Sequence, residues 1–325
     1  MLPRTAELLG LGSADQLLAA DPQLSEQITK ARAALLDAGC RSSQVPFGAA
    51  EPSAQKRARN MVKPQQCKLR DSLRQELPAF SAARFNSHAS AEASNWLNEP
   101  FPGGSPKPGA TWRTVMRHRL LMVAPGLPQP NTAAATCRHC TRDGRPCPCV
   151  LDPAGVHEHL CNLGGGVDGR HNALRDWLGD KVRDAYGKVS IERLVAQPLV
   201  TRPGRMDVFC QSGGQTLLVD VVVASPATET ASELARRRVD ASRALRLAER
   251  RKYTRYGDAV VAFAVEDSGR LGTQARRLLR QLAGLQEELP LDVCFHKLVA
   301  EAQAVVLSAT ARMLQAAHGI MPSPA

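Results

Sequence analysis

No apolar run among the 325 residues approaches the roughly 20 needed to span a bilayer. The first residues also lack a basic stretch leading into an apolar one, so no secretory leader is expected. A disulfide framework is missing as well. Five of the nine cysteines crowd between Cys137 and Cys161, interleaved with histidines, which is metal spacing in a reducing compartment. A soluble, intracellular chain with no membrane partner is therefore expected. Acidic charge is in short supply: 42 Lys and Arg stand against 31 Asp and Glu, giving +11 and a pI near 9.5. That balance favours a polyanionic partner. Arginine outnumbers lysine heavily, which suits phosphate contacts made by a planar fork, although genomic base composition also raises Arg and Ala.

The segments follow from changes of pattern. Residues 1–45 carry Leu8, Leu9, Leu17, Leu18, Ile28 and Leu35 at helical spacing, with a break at Asp21-Pro22. Residues 46–66 are a Ser-, Pro- and Gln-rich linker. Residues 67–135 read as a helical region with Pro/Gly-rich loops, anchored by Trp96 and by a basic helix from Trp112. Cys40 and Cys67 read as structural thiols.

Residues 136–166 hold the densest chemistry. Cys147-x-Cys149, then His157 and Cys161, supply three sulfurs and one nitrogen, the soft tetrahedral set that zinc prefers. A short turn holds the first pair. One helical turn holds the second, since residues four apart share a face. Cys137-Arg138-His139-Cys140 opens the stretch with a spare pair at zinc spacing. Cys137 and Cys140 are alternates for Cys147 and Cys149, or the start of a second site with His159.

Residues 167–318 change period from helix to strand. Leu174, Trp177, Leu178, Val182 and Ala185 share one helical face behind Arg170 and His171. Strands are expected at Val189–Val195, which contains Glu192, then at Met206–Cys210 and Thr216–Ala224. Ser212-Gly213-Gly214 is a hairpin turn between the last two. Asp207 and Asp220 sit on these adjacent strands. A carboxylate in the middle of Leu217 to Val223 is costly to bury unless paired or metal-bound. Two such hard oxygen donors suit magnesium, the competing reading being a hydrogen-bonded structural pair. One long helix is expected over 228–256, with nine Lys/Arg and four Asp/Glu. Lys252 shares its apolar face with Leu245, Ala248 and Tyr256. A strand at Ala259–Val265 and helices at 271–287 and 291–316 complete the region.

This order of features resembles the C-terminal region of non-LTR retrotransposon proteins. The resemblance runs from about Trp96 to Leu285 and is strongest from Cys147 to Asp220, where twelve residues separate Asp207 from Asp220. It implies a Cys-Cys-His-Cys zinc knuckle and an α/β, restriction-endonuclease-like (PD-(D/E)xK) core with a mixed sheet flanked by helices, behind a helical N-terminal region. It further implies a nuclear, magnesium-dependent DNA endonuclease that nicks its target for target-primed reverse transcription. Asp207 and Asp220 would ligate magnesium, with Glu192 as outer ligand and Lys252 and Tyr256 in support. Arg170, His171, Arg202 and Arg205 would contact nucleic acid, whether target DNA or element RNA. The sequence departs from the family in three places. Pro203-Gly204-Arg205-Met206 intervenes before Asp207, Val222 stands where ordinary restriction folds carry lysine, and the step from His157 to Cys161 is one residue short. No Tyr-x-Asp-Asp is present, so a reverse-transcriptase domain is expected upstream in a longer polyprotein. The alternative reading is a nucleic-acid-binding zinc module with a decayed, inactive nuclease fold.

Overall fold

The structure is a computed structural model that describes residues 68, 71–88, 93, 96–97, 110–119, 136–139, 144–151, 156–197, 199–228, 230–286 and 288–317. The expected helices before residue 46, the 46–66 linker, Cys40, Cys67 and Cys140 lie outside the described residues. Two compact units emerge, Met1–Glu76 and Leu77–Ala325, and everything below concerns the second. No helix among the described residues is long and apolar enough to cross a membrane.

In chain order, α1 (Ala79–His88) and α2 (Ala110–Arg119) come first. The short α3 (Val156–Leu160) and a 3-10 turn at Leu163–Gly165 lead into α4 (Gly166–Tyr186). Then follow β1 (Val189–Val195), β2 (Gly204–Ser212), β3 (Gln215–Ala224), α5 (Ala231–Val239), α6 (Arg243–Tyr256), β4 (Val260–Glu266), α7 (Thr273–Gly284) and α8 (Leu291–Ala317).

The four strands form one mixed sheet in the order β1-β2-β3-β4. β1, β2 and β3 are antiparallel neighbours, while β4 runs parallel to β3. A parallel neighbour demands a crossover, and α5 and α6 supply it. The β2–β3 turn is Gly213-Gly214, enclosed by the pair Ser212 and Gln215. Both glycines have positive φ (56° and 78°), as a two-residue hairpin that follows the strand twist requires.

The sheet is covered on both faces, which is why β3 reads as a nearly unbroken apolar run. On one face Val208, Val219, Val221, Phe263 and Val265 pack against Leu174, Leu178 and Val182 of α4 and against α7 and α8. Each fully buried side chain of this size contributes about 1.5–3 kcal/mol. On the other face Val222 and Ala264 meet Leu245 and Ala248 of α6, and Phe209 and Leu218 meet Tyr256.

The expected long helix over 228–256 is instead two helices. Asp240 is extended (φ −121°, ψ 94°) and its carboxylate accepts the Ser242 amide at 3.2 Å, a local bond that competes with the helical ladder. Glu233 spans the break, gripping Arg237 at 3.1 Å and Arg243 at 2.9 Å.

Candidate metal centre and acid pair

The segment ahead of α3 folds into a small ribbon. Thr136 bridges Val150 antiparallel, the Cys137 amide donates to Cys149 O at 2.9 Å, and the Cys147 amide donates to His139 O at 2.8 Å. This brings Cys137 to the pair formed by Cys147 and α3. The donor atoms of Cys137, Cys147, His157 and Cys161 all lie within 4.8 Å of one another. The Sγ atoms of Cys137 and Cys161 are 3.9 Å apart, and Cys147 Sγ lies 3.3 Å from His157 Nε2. A zinc tetrahedron with Zn–S near 2.3 Å and Zn–N near 2.0 Å has edges of about 3.8 and 3.5 Å, so the set fits. Burial pushes the Cys137 thiol up to about 12, and its sulfur neighbours add to the rise. Such crowded thiols ionise together only around a cation.

The ligand set differs from the expected one in one member. Cys137 replaces Cys149, which is exposed on the facing strand of the ribbon. Spacing within 147–161 is silent about a residue brought across from another strand. The alternate His159 is not in the set either. Two residues from His157 on a helix, it turns inward, with Nδ1 3.0 Å from Asp267 Oδ2 and Nε2 2.8 Å from His118 Nε2.

The acid pair is built by register. Val208 faces Val219, so one step further Asp207 faces Asp220, and facing residues project from the same side of a sheet. The two carboxyls are close enough to act on each other's ionisation. Asp207 Oδ2 also accepts the Val221 amide at 2.6 Å, and its Oδ1 lies 3.2 Å from His171 Nε2. Lys252 Nζ reaches Asp220 Oδ1 at 2.9 Å and Oδ2 at 2.8 Å. Burial pushes Asp220 up to about 6; Lys252 opposes the rise and Asp207 adds to it. Burial also works against ionisation of Asp207, but His171, the neighbouring Asp220 carboxyl and the Val221 amide outweigh it and hold the carboxyl below its usual range. Two facing carboxylates driven apart in this way titrate as a pair, holding one proton between them below about pH 6.

The other candidates are placed differently. Tyr256 is buried beside the pair, its ring packed on Gly204. Glu192 sits at the register position across from Asp207, with a left-handed φ of 53°. The contacts of its carboxylate are with Arg175 and Arg205, so its bonds go to those arginines rather than to the acids. Arg205 is thereby ion-paired, while Arg202 is exposed. Arg170 is buried, with Nη1 3.7 Å from Asp267, so it faces the interior and not a phosphate. His171 lies on Asp207 itself. Asp267, which the sequence did not mark, is held at about 2: burial opposes ionisation, but His159, Arg170 and Ser225 more than offset it.

An open cleft of about 640 Å³ leads from Lys252 along α6 to Leu160 and Asn162 behind the metal cluster. Arg237, Arg251 and Lys252 line it, and among the described residues no carboxylate does. Arg250 and Arg251 on α6 make no ion pair among the described residues.

No protein-family model, no curated protein and no solved structure matches the chain.

Proposed function

We propose that the chain is the nuclease-bearing part of a non-LTR retrotransposon polyprotein, a metal-dependent DNA endonuclease acting in the nucleus downstream of a reverse transcriptase. The observation that carries this reading is the facing Asp207–Asp220 pair with Lys252 seated on Asp220. One helix, three antiparallel strands, two helices and a fourth strand parallel to the third make a mixed sheet flanked by helices, which supports this reading. Asp207 and Asp220 would hold magnesium, for which their hard oxygens and limited solvent access are suited. When bound, that ion supplies a Lewis acid and a water of lowered pKa. The Val221 amide fixes one oxygen of Asp207, and His171 fixes the other. Lys252 stands where its charge can pass from Asp220 to a phosphate oxygen as negative charge develops there. The basic cleft beside α6 offers the flanking strand a path, and the Cys-Cys-His-Cys cluster, loaded with zinc, stiffens the wall of that path.

Nicking of supercoiled plasmid in magnesium tests the reading. Asp220→Ala is expected to abolish nicking and to leave binding intact, because it removes a metal ligand but none of the basic surface. Equal nicking by both proteins sinks the proposal. Binding without nicking by the wild type selects the decayed module instead.

A further inference from the structure

The residue that joins the two sites is Asp267. It follows β4 directly, and its amide donates to the carbonyl of Ala224, the last residue of β3, at 2.9 Å. Its carboxylate is met by two side chains, one from α3 and one from α4. His159 comes from α3, the helix whose other histidine, His157, faces the cysteine cluster. Arg170 comes from near the N-terminus of α4, and its chain neighbour His171 lies on Asp207. All three of His159, Asp267 and Arg170 are almost inaccessible to solvent. A contiguous path therefore runs from the metal cluster through α3, His159, Asp267, Arg170 and His171 to the oxygen of Asp207, whose other oxygen sits on the Val221 amide.

We propose that Asp267 is a positioning residue that couples occupancy of the Cys137, Cys147, His157 and Cys161 cluster to the seating of Asp207 on the Val221 amide. The zinc ion fixes the roll of α3 through His157, and that roll decides whether His159 meets Asp267. With His159 in place, the carboxylate is held between α3 and α4, and the N-terminal part of α4 is held with it. Without zinc, α3 is left with the bonds of His159 to Asp267 and His118, and a five-residue helix does not keep its orientation on so few anchors. The coupling is reciprocal: whatever orders Asp207 also favours zinc retention. Its consequence for divalent-metal ligation at the acid pair rests on the nuclease reading.

Hydrogen exchange at the Val221 amide reads the seating directly, with no metal at the acid pair and no activity required. In the full chain, stripping zinc with a chelator is expected to accelerate exchange at Val221 about tenfold, within the range of coupled sites. Zinc-loaded Asp267→Asn is expected to exchange as fast as stripped wild type, and stripping it adds nothing. Amides in the middle of α7, on the far side of the core, keep their rates throughout. His159→Asn, which retains an N–H donor where Nδ1 stands, preserves the zinc dependence; His159→Leu, which packs but cannot donate, loses it. This pair of variants carries the test if Asp267→Asn fails to fold. An indifferent Val221, a parallel rise in α7, or an undiminished zinc effect in His159→Leu overturns the proposal. Manganese titration then separates the two readings. If zinc-dependent protection is seen but no manganese binds through Asp220, the coupling stands and the nuclease reading falls.

Discussion

Replacing Lys252 by methionine isolates the charge at the acid pair, since methionine keeps most of the apolar stem and removes only the ammonium. Nζ lies 2.8 and 2.9 Å from the two oxygens of Asp220, whose carboxyl is nearly inaccessible, while the lysine keeps a quarter of its exposure. Opposite charges about 4 Å apart attract by about 4 kcal/mol at an effective dielectric of 20. Solvent at the open side of the lysine reduces that to roughly 2 kcal/mol, or about 1.5 pKa units. Asp220 already stands at about 6 with the lysine in place. In Lys252→Met its carboxyl should therefore titrate about one to two units higher and remain largely protonated at neutral pH. The sign for stability follows. With its folded pKa raised from 3.8 to about 6, the contribution of Asp220 is fully present below 3.8 and is lost as pH rises through 6. The variant shifts the end of that loss upward by the same interval. Carboxyl carbon resonances of labelled aspartates, followed from pH 4 to 9 in both proteins, give the titration directly. Identical midpoints would refute the reasoning, because they would mean that Lys252 does not sense the charge it touches.

Zinc content separates two cysteines that the sequence treats alike: Cys137→Ser is expected to lose the ion during dialysis and Cys149→Ser to keep it, and the reverse result would return the ligand set to the original spacing. Burial pushes Glu266 from 4.5 up to about 7, so its contribution is fully present below 4.5 and is lost as pH rises through 7. Glu266→Gln should consequently gain on the wild type between pH 5 and 8, by up to about 3 kcal/mol in urea unfolding, and a pH-independent difference would count against it. A methyl group on Gly204 would stand 2.6 Å from Tyr256 Cε1 and 3.1 Å from its hydroxyl. Because that ring is buried, Gly204→Ala should cost about 1–3 kcal/mol in thermal unfolding, and far less in a Tyr256→Ala background.

What was legible in the sequence was whatever a few neighbouring residues decide. The strands around Asp207 and Asp220 follow from β-branched runs, and their register follows from one local fact, the two glycines that close the turn between Ser212 and Gln215. Counting back from that turn sets Asp207 against Asp220 with no knowledge of the rest of the chain. Lys252 was legible for the same reason, since helical spacing from Leu245 and Ala248 aims it at the sheet even though the helix itself breaks at Asp240. The remainder depends on partners far away in the chain. Cys137 enters the metal cluster because a ribbon folds it across from Cys149, and Arg170 turns inward because Asp267 waits there. Asp267 is separated from His159 by 108 positions and carries no motif of its own. A short α3 can hold two histidines to opposite duties only if something fixes its roll. In this fold the fixing groups are the cysteine cluster on one side and a buried carboxylate on the other, and only the cluster leaves a mark in the spacing of the sequence.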